Sequence, residues 1–503
     1  MAGQMTLANW LARENQPMDG WSPLKGTKTQ VALLEAAIKA MVKAIPTRMV
    51  TKDMPRVAAY GTFQELITGV PAKFAAAPRT TELLRAMEGR TLIDLFAGVG
   101  GVTLAGLRCG LKVEGYNHFP HAVAINALNF SGRHFVADLG EMEEILLGKR
   151  YACPGPVPMG EADLAWNSAP CPPHSQARIE GQQSLNVQAT AAARKEALMK
   201  ARVAAHSVLD FARNNRLPFF FTENVIPFAK WTDHSRWLQE WQDRGYVTIQ
   251  LSLNARFFGV AQNRDRLIYV HVRRDMIRKI DLSFTVPAWC SPCRREVSSV
   301  QRFKRNSRTQ TVNTYGVYGR QYVMACPRCD DEVHPPARPM ADHIDFSDIG
   351  TSVAERGVSF DPSRARIQAG IDRLQALGLP PQPIMIRQDY NQDPAHKRPG
   401  IPVSDLAPTI GCRQVFGFAF HPSLAAPGLD GQGHLKRWPR AEECTFRMAK
   451  PMELAMMQGF PPDIHLGEAA LGNKRYATVM VGNAVPPQVA EGVMARACMA
   501  LAS

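Results

Sequence analysis

A cysteine stands in the run Asn167-Ser168-Ala169-Pro170-Cys171-Pro172-Pro173-His174-Ser175. The prolines fix the backbone on both sides of it and remove donors. The preceding apolar run, Asp163-Leu164-Ala165-Trp166, reads as a strand. Open α/β sheets place their chemistry at the carboxyl ends of strands. A thiol held there is a nucleophile once ionised, or else a structural cysteine; the run alone leaves both open. Three further runs put polar groups at strand ends. Asp94-Leu95-Phe96-Ala97-Gly98-Val99-Gly100-Gly101 closes the strand Thr91 to Leu95. Its glycines let the backbone turn tightly and approach a ligand, most simply a nucleoside cofactor, although a plain tight turn has the same composition. Glu223-Asn224-Val225 follows Phe219-Phe220-Phe221, and an acid beside an amide can read the edge of a base or simply cap the strand. Gln262-Asn263-Arg264-Asp265-Arg266 precedes the strand Leu267 to Val270. Its two arginines alternate onto one face and offer forked donors to a carbonyl or phosphate, or form a salt-bridged edge.

Nucleotide sites of this kind place an acid at the end of the second strand to hold the ribose. Asn117 stands there, after the strand Lys112 to Tyr116, with His118 next to it. Asp138 ends the following candidate strand and could accept from an adenine amine, or be an ordinary turn aspartate.

Four of the ten cysteines form two Cys-x-x-Cys pairs, Cys290/Cys293 and Cys326/Cys329, with 32 residues between them. Four thiolates at that spacing suit one tetrahedral zinc in a ribbon-like fold; four unrelated buried thiols are the alternative. Between the pairs, Arg294, Arg295, Arg302, Lys304, Arg305, Arg308 and Arg320 face one acid, Glu296. Phe303, Tyr315, Tyr318 and Tyr322 interleave them, a composition suited to contacting phosphates. Cysteines this sparse do not make a disulfide framework and fit a reducing compartment.

The elements that must hold these residues begin with a strand, turn, helix (Val102 to Cys109) and strand, the opening of a doubly wound α/β domain. A chain of 503 residues suggests two to four domains. Residues 1–90 read as a helical accessory segment, with Val31, Leu34, Ile38, Met41 and Ile45 at helical spacing. Residues 91–280 read as the catalytic domain, with an Ala-rich helix within Val187 to Asn214. Residues 281–440, rich in proline and arginine, read as an irregular β-rich insert carrying the ribbon over 286–335. Residues 441–503 return to the catalytic domain through helices at Pro451 to Gln458 and Gln488 to Ala502. No apolar run has the length of a membrane span, and Met1 to Asn15 has no signal-peptide pattern, so a cytoplasmic location is expected. The net charge of +14 favours a polyanionic partner such as nucleic acid.

In order and spacing these runs resemble the DNA (cytosine-5)-methyltransferase family over about 90–285 and 441–490. The resemblance extends to Arg447, Glu453, Gln458-Gly459-Phe460-Pro461 and Gly482-Asn483-Ala484-Val485-Pro486, and more faintly to Pro408-Thr409-Ile410. It implies a Rossmann-like, class I domain that binds S-adenosylmethionine, with the insert as target recognition domain. The cofactor would lie against Asp94, Phe96, Ala97, Gly98, Gly100, Gly101, Asn117, His118, Asp138, Pro170 and Asn483. Cys171 would attack C6 of a flipped cytosine, Glu223 would hold N3, Arg266 would contact O2, Arg264 would lie near the nucleotide's phosphate, and Asn224 would order the loop. The implied partner is double-stranded DNA, met by a monomer in a bacterial or phage-infected cell. Asn391-Gln392 and Arg413 are candidate base readers. Pro172, His174 and Asn117 depart from the family pattern, at the positions of a Gln, an aromatic and an acid. An RNA substrate, or a silent nucleic-acid-binding protein, are the competing readings.

Overall fold

The computed structural model describes residues 80–117, 120–136, 162–169, 208–209, 212, 215–306, 309–377, 382–388, 399–411, 415–421, 438–466 and 474–503. Cys171 and its prolines, His118, Asp138, Asn391-Gln392, Arg413, nearly all of 187–214 and most of the segment 1–90 lie outside these residues.

Seven strands make the central sheet: β1 (Thr91–Leu95), β2 (Lys112–Asn117), β3 (Arg133–Val136), β4 (Leu164–Asn167), β5 (Phe219–Asn224), β6 (Tyr246–Asn254) and β7 (Asp265–Arg273). Their order is β3-β2-β1-β4-β5-β7-β6. The first five run parallel, and β7 is antiparallel to both its neighbours. This is a mixed α/β fold with a largely parallel sheet, of the class I methyltransferase kind. Parallel strands are covered on both faces and therefore read as unbroken apolar runs. Leu164, Ala165, Trp166 and Phe219 to Phe221 are fully buried accordingly. The chain runs outward from β1 through β2 to β3, then returns to place β4 on the other side of β1. The connections leaving β1 and β4 therefore diverge at a switch point, where such sheets open a crevice.

Helices α1 (Thr81–Met87), α2 (Gly101–Arg108), α3 (Pro120–Asn129) and α4 (His234–Asp243) flank the sheet. Leu83 and Met87 of α1 join the core beneath the sheet, so the end of the segment 1–90 is built into the catalytic unit.

The stretch after residue 280 is more regular than its composition suggests. β8 (Val286–Cys290), β9 (Arg295–Phe303), β10 (Tyr322–Ala325) and β11 (Glu332–Val333) form one antiparallel sheet. A second contains β12 (Thr351–Ser352), β13 (Ile384–Gln388), β14 (Ile401–Pro402), β15 (Val415–Phe420) and β16 (Thr445–Met448). Against it lies α5 (Asp361–Ala376), sixteen residues long, which packs Ile367, Ile371 and Leu374 onto Ile384, Ile386 and Ala419. Those apolar positions are spaced i, i+4, i+7, but the Arg and Pro around them obscured the helix. β16 pairs with β15 across the expected boundary at 441, so the insert's sheet closes there and the return begins at α6 (Pro451–Met457). α7 (Lys474–Asn483) and α8 (Pro487–Ala502) complete the chain. α8 packs on α2 and α1. No helix among the described residues is long and apolar enough to cross a membrane.

Candidate active site at the switch point

β1 delivers Asp94 to the base of the glycine turn. Asp94 is fully buried, and its Oδ2 accepts from the Thr103 hydroxyl at 2.8 Å. Thr103 in turn accepts from Asn126 Nδ2 at 3.0 Å, so one buried polar chain ties β1, α2 and α3 together. Burial pushes the Asp94 carboxyl up to about 7, against the lowering effect of Thr103. Among the described residues the other oxygen, Asp94 Oδ1, has no hydrogen-bond partner, and neither has Asn126 Oδ1. Above them Phe96, Gly98 and Gly100 all take positive φ, at 62°, 54° and 95°. Ala97 N–H donates to Tyr116 O at 3.0 Å, which seats the turn on β2. A Cβ on Gly101 would lie 2.0 Å from Val485 O; only glycine lets the 482–486 turn press onto the start of α2. Asn117 ends β2 and is buried.

The second half of the site lies at the same end of the sheet, on β5 and β7. Because the two strands are antiparallel, the end of one meets the start of the other. Arg266 Nε meets Glu223 Oε1 at 2.9 Å, with side chains 13% and 11% exposed. Arg266 Nη1 also donates to Asp265 O at 2.8 Å. Asn224 is buried, and its Oδ1 accepts from Val225 N–H at 2.9 Å, a local turn that directs the chain leaving β5.

Between these halves ends β4, three residues before Pro170. Asn167 is fully buried there, and neither atom of its amide has a hydrogen-bond partner among the described residues. It pairs in register with Leu95 and Thr222. It was overlooked as a site residue; the signal available was a lone amide closing an apolar strand, and a buried polar group without a partner calls for an explanation.

Arg264 differs from its neighbour Arg266. It is 3% exposed, and its guanidinium donates to Ile410 O at 2.8 Å and to Gly482 O and Ala484 O at 3.1 Å each. Arg264 thereby ties the insert to the 482–486 turn. Gln262 reinforces it: Gln262 Nε2 donates to Gln458 Oε1 at 2.6 Å, and Gln458 Nε2 to Ala484 O at 2.6 Å. Gln262–Asn263 also pair in parallel with Ala407–Pro408, and Thr409 Oγ1 donates to Asn263 O at 2.8 Å. Four sequence runs, at 262–266, 408–410, 458–461 and 482–486, thus meet at one buried junction. Asn483 is exposed beside it.

The paired cysteines also converge. Cys290 Sγ and Cys329 Sγ lie 3.5 Å apart, Cys293 Sγ and Cys326 Sγ 3.9 Å, and all four lie within 4.8 Å of one another. A tetrahedral zinc with Zn–S near 2.3 Å requires sulfur separations of about 3.8 Å, so the thiols are compatible with that ion. Three of the aromatic residues between the pairs pack together. Tyr322 is 1% exposed. It packs on Phe303 and Tyr318 at 5.6 and 5.7 Å, and Tyr318 on Phe257 at 4.9 Å. A module this small has few aliphatic residues for a core, and its rings fill that role. Arg294, Arg295 and Arg320 stay exposed, whereas Arg302 pairs with Asp330 at 2.6 Å.

Residues 90–318 match the family model for the C-5 cytosine-specific DNA methylase. No curated protein matches the chain in sequence. Similar solved structures include a protein described as a DNA modification methyltransferase encoded within an E. coli prophage, at 16% identity, covering 81% of this chain and 98% of that one, with a TM-score of 0.41. The Entamoeba histolytica methyltransferase EhMeth is similar at 13% identity, covering 81% and 97%, with a TM-score of 0.42. The S. pombe Dnmt2 methyltransferase is similar at 12% identity, covering 81% and 97%, with a TM-score of 0.38.

Proposed function

We propose, from the match of residues 90–318 to the C-5 cytosine-specific DNA methylase model, that the chain methylates carbon 5 of cytosine in duplex DNA with S-adenosylmethionine as donor. The observation that carries this reading is the Glu223–Arg266 pair, held at 2.9 Å beside the switch point. Cytosine presents N3 next to O2, so an acid and a guanidinium side by side complement that edge of the base. The net charge of +14 supports a polyanionic substrate.

The glycine turn fits the donor: left-handed Gly98 and Gly100 keep side chains out of the crevice, and Asn117 can hydrogen-bond a ribose diol. S-adenosylmethionine supplies the methyl group when bound. The target base must leave the duplex stack, at a cost of about a few kcal/mol. The Cys171 thiolate adds to C6, and the ring electrons move toward N3 and O2 and make C5 nucleophilic. Glu223 shares a proton at N3 and Arg266 donates to O2, stabilising the charge that develops there. After methylation, loss of the C5 proton returns the electron pair to the ring and expels Cys171. Cys290, Cys293, Cys326 and Cys329 would hold a structural zinc.

Incubation of the purified protein with labelled donor and duplex DNA tests the reading. Label is expected at C5 of cytosine with the wild type and none with Cys171→Ser. Label on tRNA but not on duplex DNA would move the substrate to RNA. No label on either, with the protein folded, overturns the reading.

A further inference from the structure

Successive side chains on a strand point to opposite faces. At the start of β7, Arg266 therefore faces Glu223 while Asp265 faces away, toward the cysteine-bearing module. There Asp265 Oδ1 accepts from Tyr318 N–H at 3.0 Å and from the Tyr322 hydroxyl at 3.4 Å. Tyr322 opens β10, four residues before Cys326, and Gly319 N–H donates to Tyr322 O at 2.8 Å. The guanidinium of Arg256 lies 5.0 Å from the centre of the Tyr318 ring and braces the same loop. The module also grips the neighbouring edge strand. Gly316 N–H donates to Ser252 Oγ at 3.1 Å, and Gln301 Nε2 to Ser252 O at 2.8 Å. On the other side, the main-chain oxygen of Asp265 accepts from Arg266 Nη1 at 2.8 Å, while Arg266 Nε holds Glu223.

We propose that Asp265 is a positioning residue through which the four-cysteine module sets Arg266 against Glu223, so that the integrity of the cysteine cluster controls the geometry of the active site. The inference rests on the proposed function for the role of Arg266, but the link itself is structural. The side chain of Asp265 is anchored by Tyr318 and Tyr322 between the two cysteine pairs as well as by Asn254 of the edge strand, and its carbonyl orients the guanidinium. Loosening the cluster frees Tyr322, then Asp265, then the Arg266 guanidinium, without removing any group that touches substrate. A displacement of about 1 Å at such a group costs up to roughly 100-fold in rate.

The test combines Asp265→Ala, Tyr322→Phe and Arg266→Ala in the full chain. Asp265→Ala is expected to lower kcat about tenfold or more, with KM for the methyl donor unchanged, because the glycine turn is untouched. In the Arg266→Ala background the same change is expected to add less than about twofold, since coupled residues are non-additive. Additive losses, or a kcat for Asp265→Ala within about twofold of wild type, would overturn the proposal. If Asp265→Ala does not fold, Tyr322→Phe removes a single hydroxyl and carries the same expectations in a milder form. A second readout needs no turnover. The Arg266 Nε–H proton signal, sharpened by its ion pair, is expected to broaden in Asp265→Ala and when a thiol-blocking mercurial disrupts the cysteine cluster. An unchanged signal in both refutes the link. A wild-type protein that shows the signal and its loss, yet methylates no cytosine, leaves the link standing and overturns the functional reading instead.

Discussion

Glu453 and Glu223 each face an arginine, and their surroundings differ in a way that separates a strut from a working group. Glu453 Oε1 accepts from Arg447 Nη2 at 2.6 Å and from Asp345 N–H at 2.8 Å, and Oε2 from Arg447 Nη1 at 2.8 Å and from Lys450 N–H at 2.7 Å. Arg447 also donates to the carbonyls of Asp345, Asp348 and Met448. Every polar atom of this pair is committed, and the side chains are 7% and 3% exposed. Glu223 is also buried, but the one cation it meets among the described residues is Arg266, at 2.9 Å. A saturated pair can hold the segment 345–348 to β16 and α6 but has nothing left for a ligand. An unsaturated pair is stable enough to persist and can still receive one.

Removing one member of each pair is the strongest way to test that contrast. Arg447→Ala is expected to destabilise the protein by about 3–5 kcal/mol, because Glu453 is left buried and uncompensated. Replacing both together, Arg447→Met with Glu453→Leu, is expected to recover most of that loss. Chemical denaturation measures both, and a single-variant loss below about 1 kcal/mol would mean the pair is no strut. Glu223→Gln is expected to act the other way round. Methyl transfer falls by about 10²–10³-fold while the unfolding midpoint stays near wild type. A large fall in stability with a small fall in rate would make Glu223 a second strut.

Asp94 extends the comparison to a buried carboxyl held by Thr103, with no cation beside it among the described residues. Its pKa is raised by burial to about 7, above its unfolded value. The proton it retains in the folded state contributes stability that is fully present below the unfolded pKa and is lost as pH rises through about 7. The stability of wild type relative to Asp94→Asn is therefore expected to fall from about pH 4 to pH 7 and to level off above. Parallel stability curves for the two proteins would show that Asp94 titrates normally.

The legibility of the site varied with the range of the interaction. Thr91–Leu95 as a strand, the left-handed glycine turn and the helix after it follow from local residue types, since apolar runs and glycines carry their conformational preferences with them. The four cysteines announced their cluster through spacing, because two Cys-x-x-Cys turns offer ligand pairs wherever the chain brings them together. The packing of Tyr318 and Tyr322 was not legible, because a ring among arginines has the same composition whether it faces phosphate or fills a small core. Arg264 and Arg266 are two residues apart and chemically identical, so no local rule shows that Arg264 is buried against the 482–486 turn while Arg266 pairs with Glu223.

Residue types and order thus carried the strand-end chemistry, the family resemblance and the metal-ligand pattern. The junction of Gln262, Arg264, Gln458 and Ala484, the saturation of Glu453 against the pairing of Glu223 with Arg266, and the seat of Asp265 on the cysteine module were decided only by folding. Each joins positions distant in the chain, and a hydrogen bond across such a distance depends on where the elements pack rather than on any local preference. The same two side chains, an arginine and a glutamate, became a strut in one place and a candidate reading pair in another because of how many neighbours the tertiary structure brought to them.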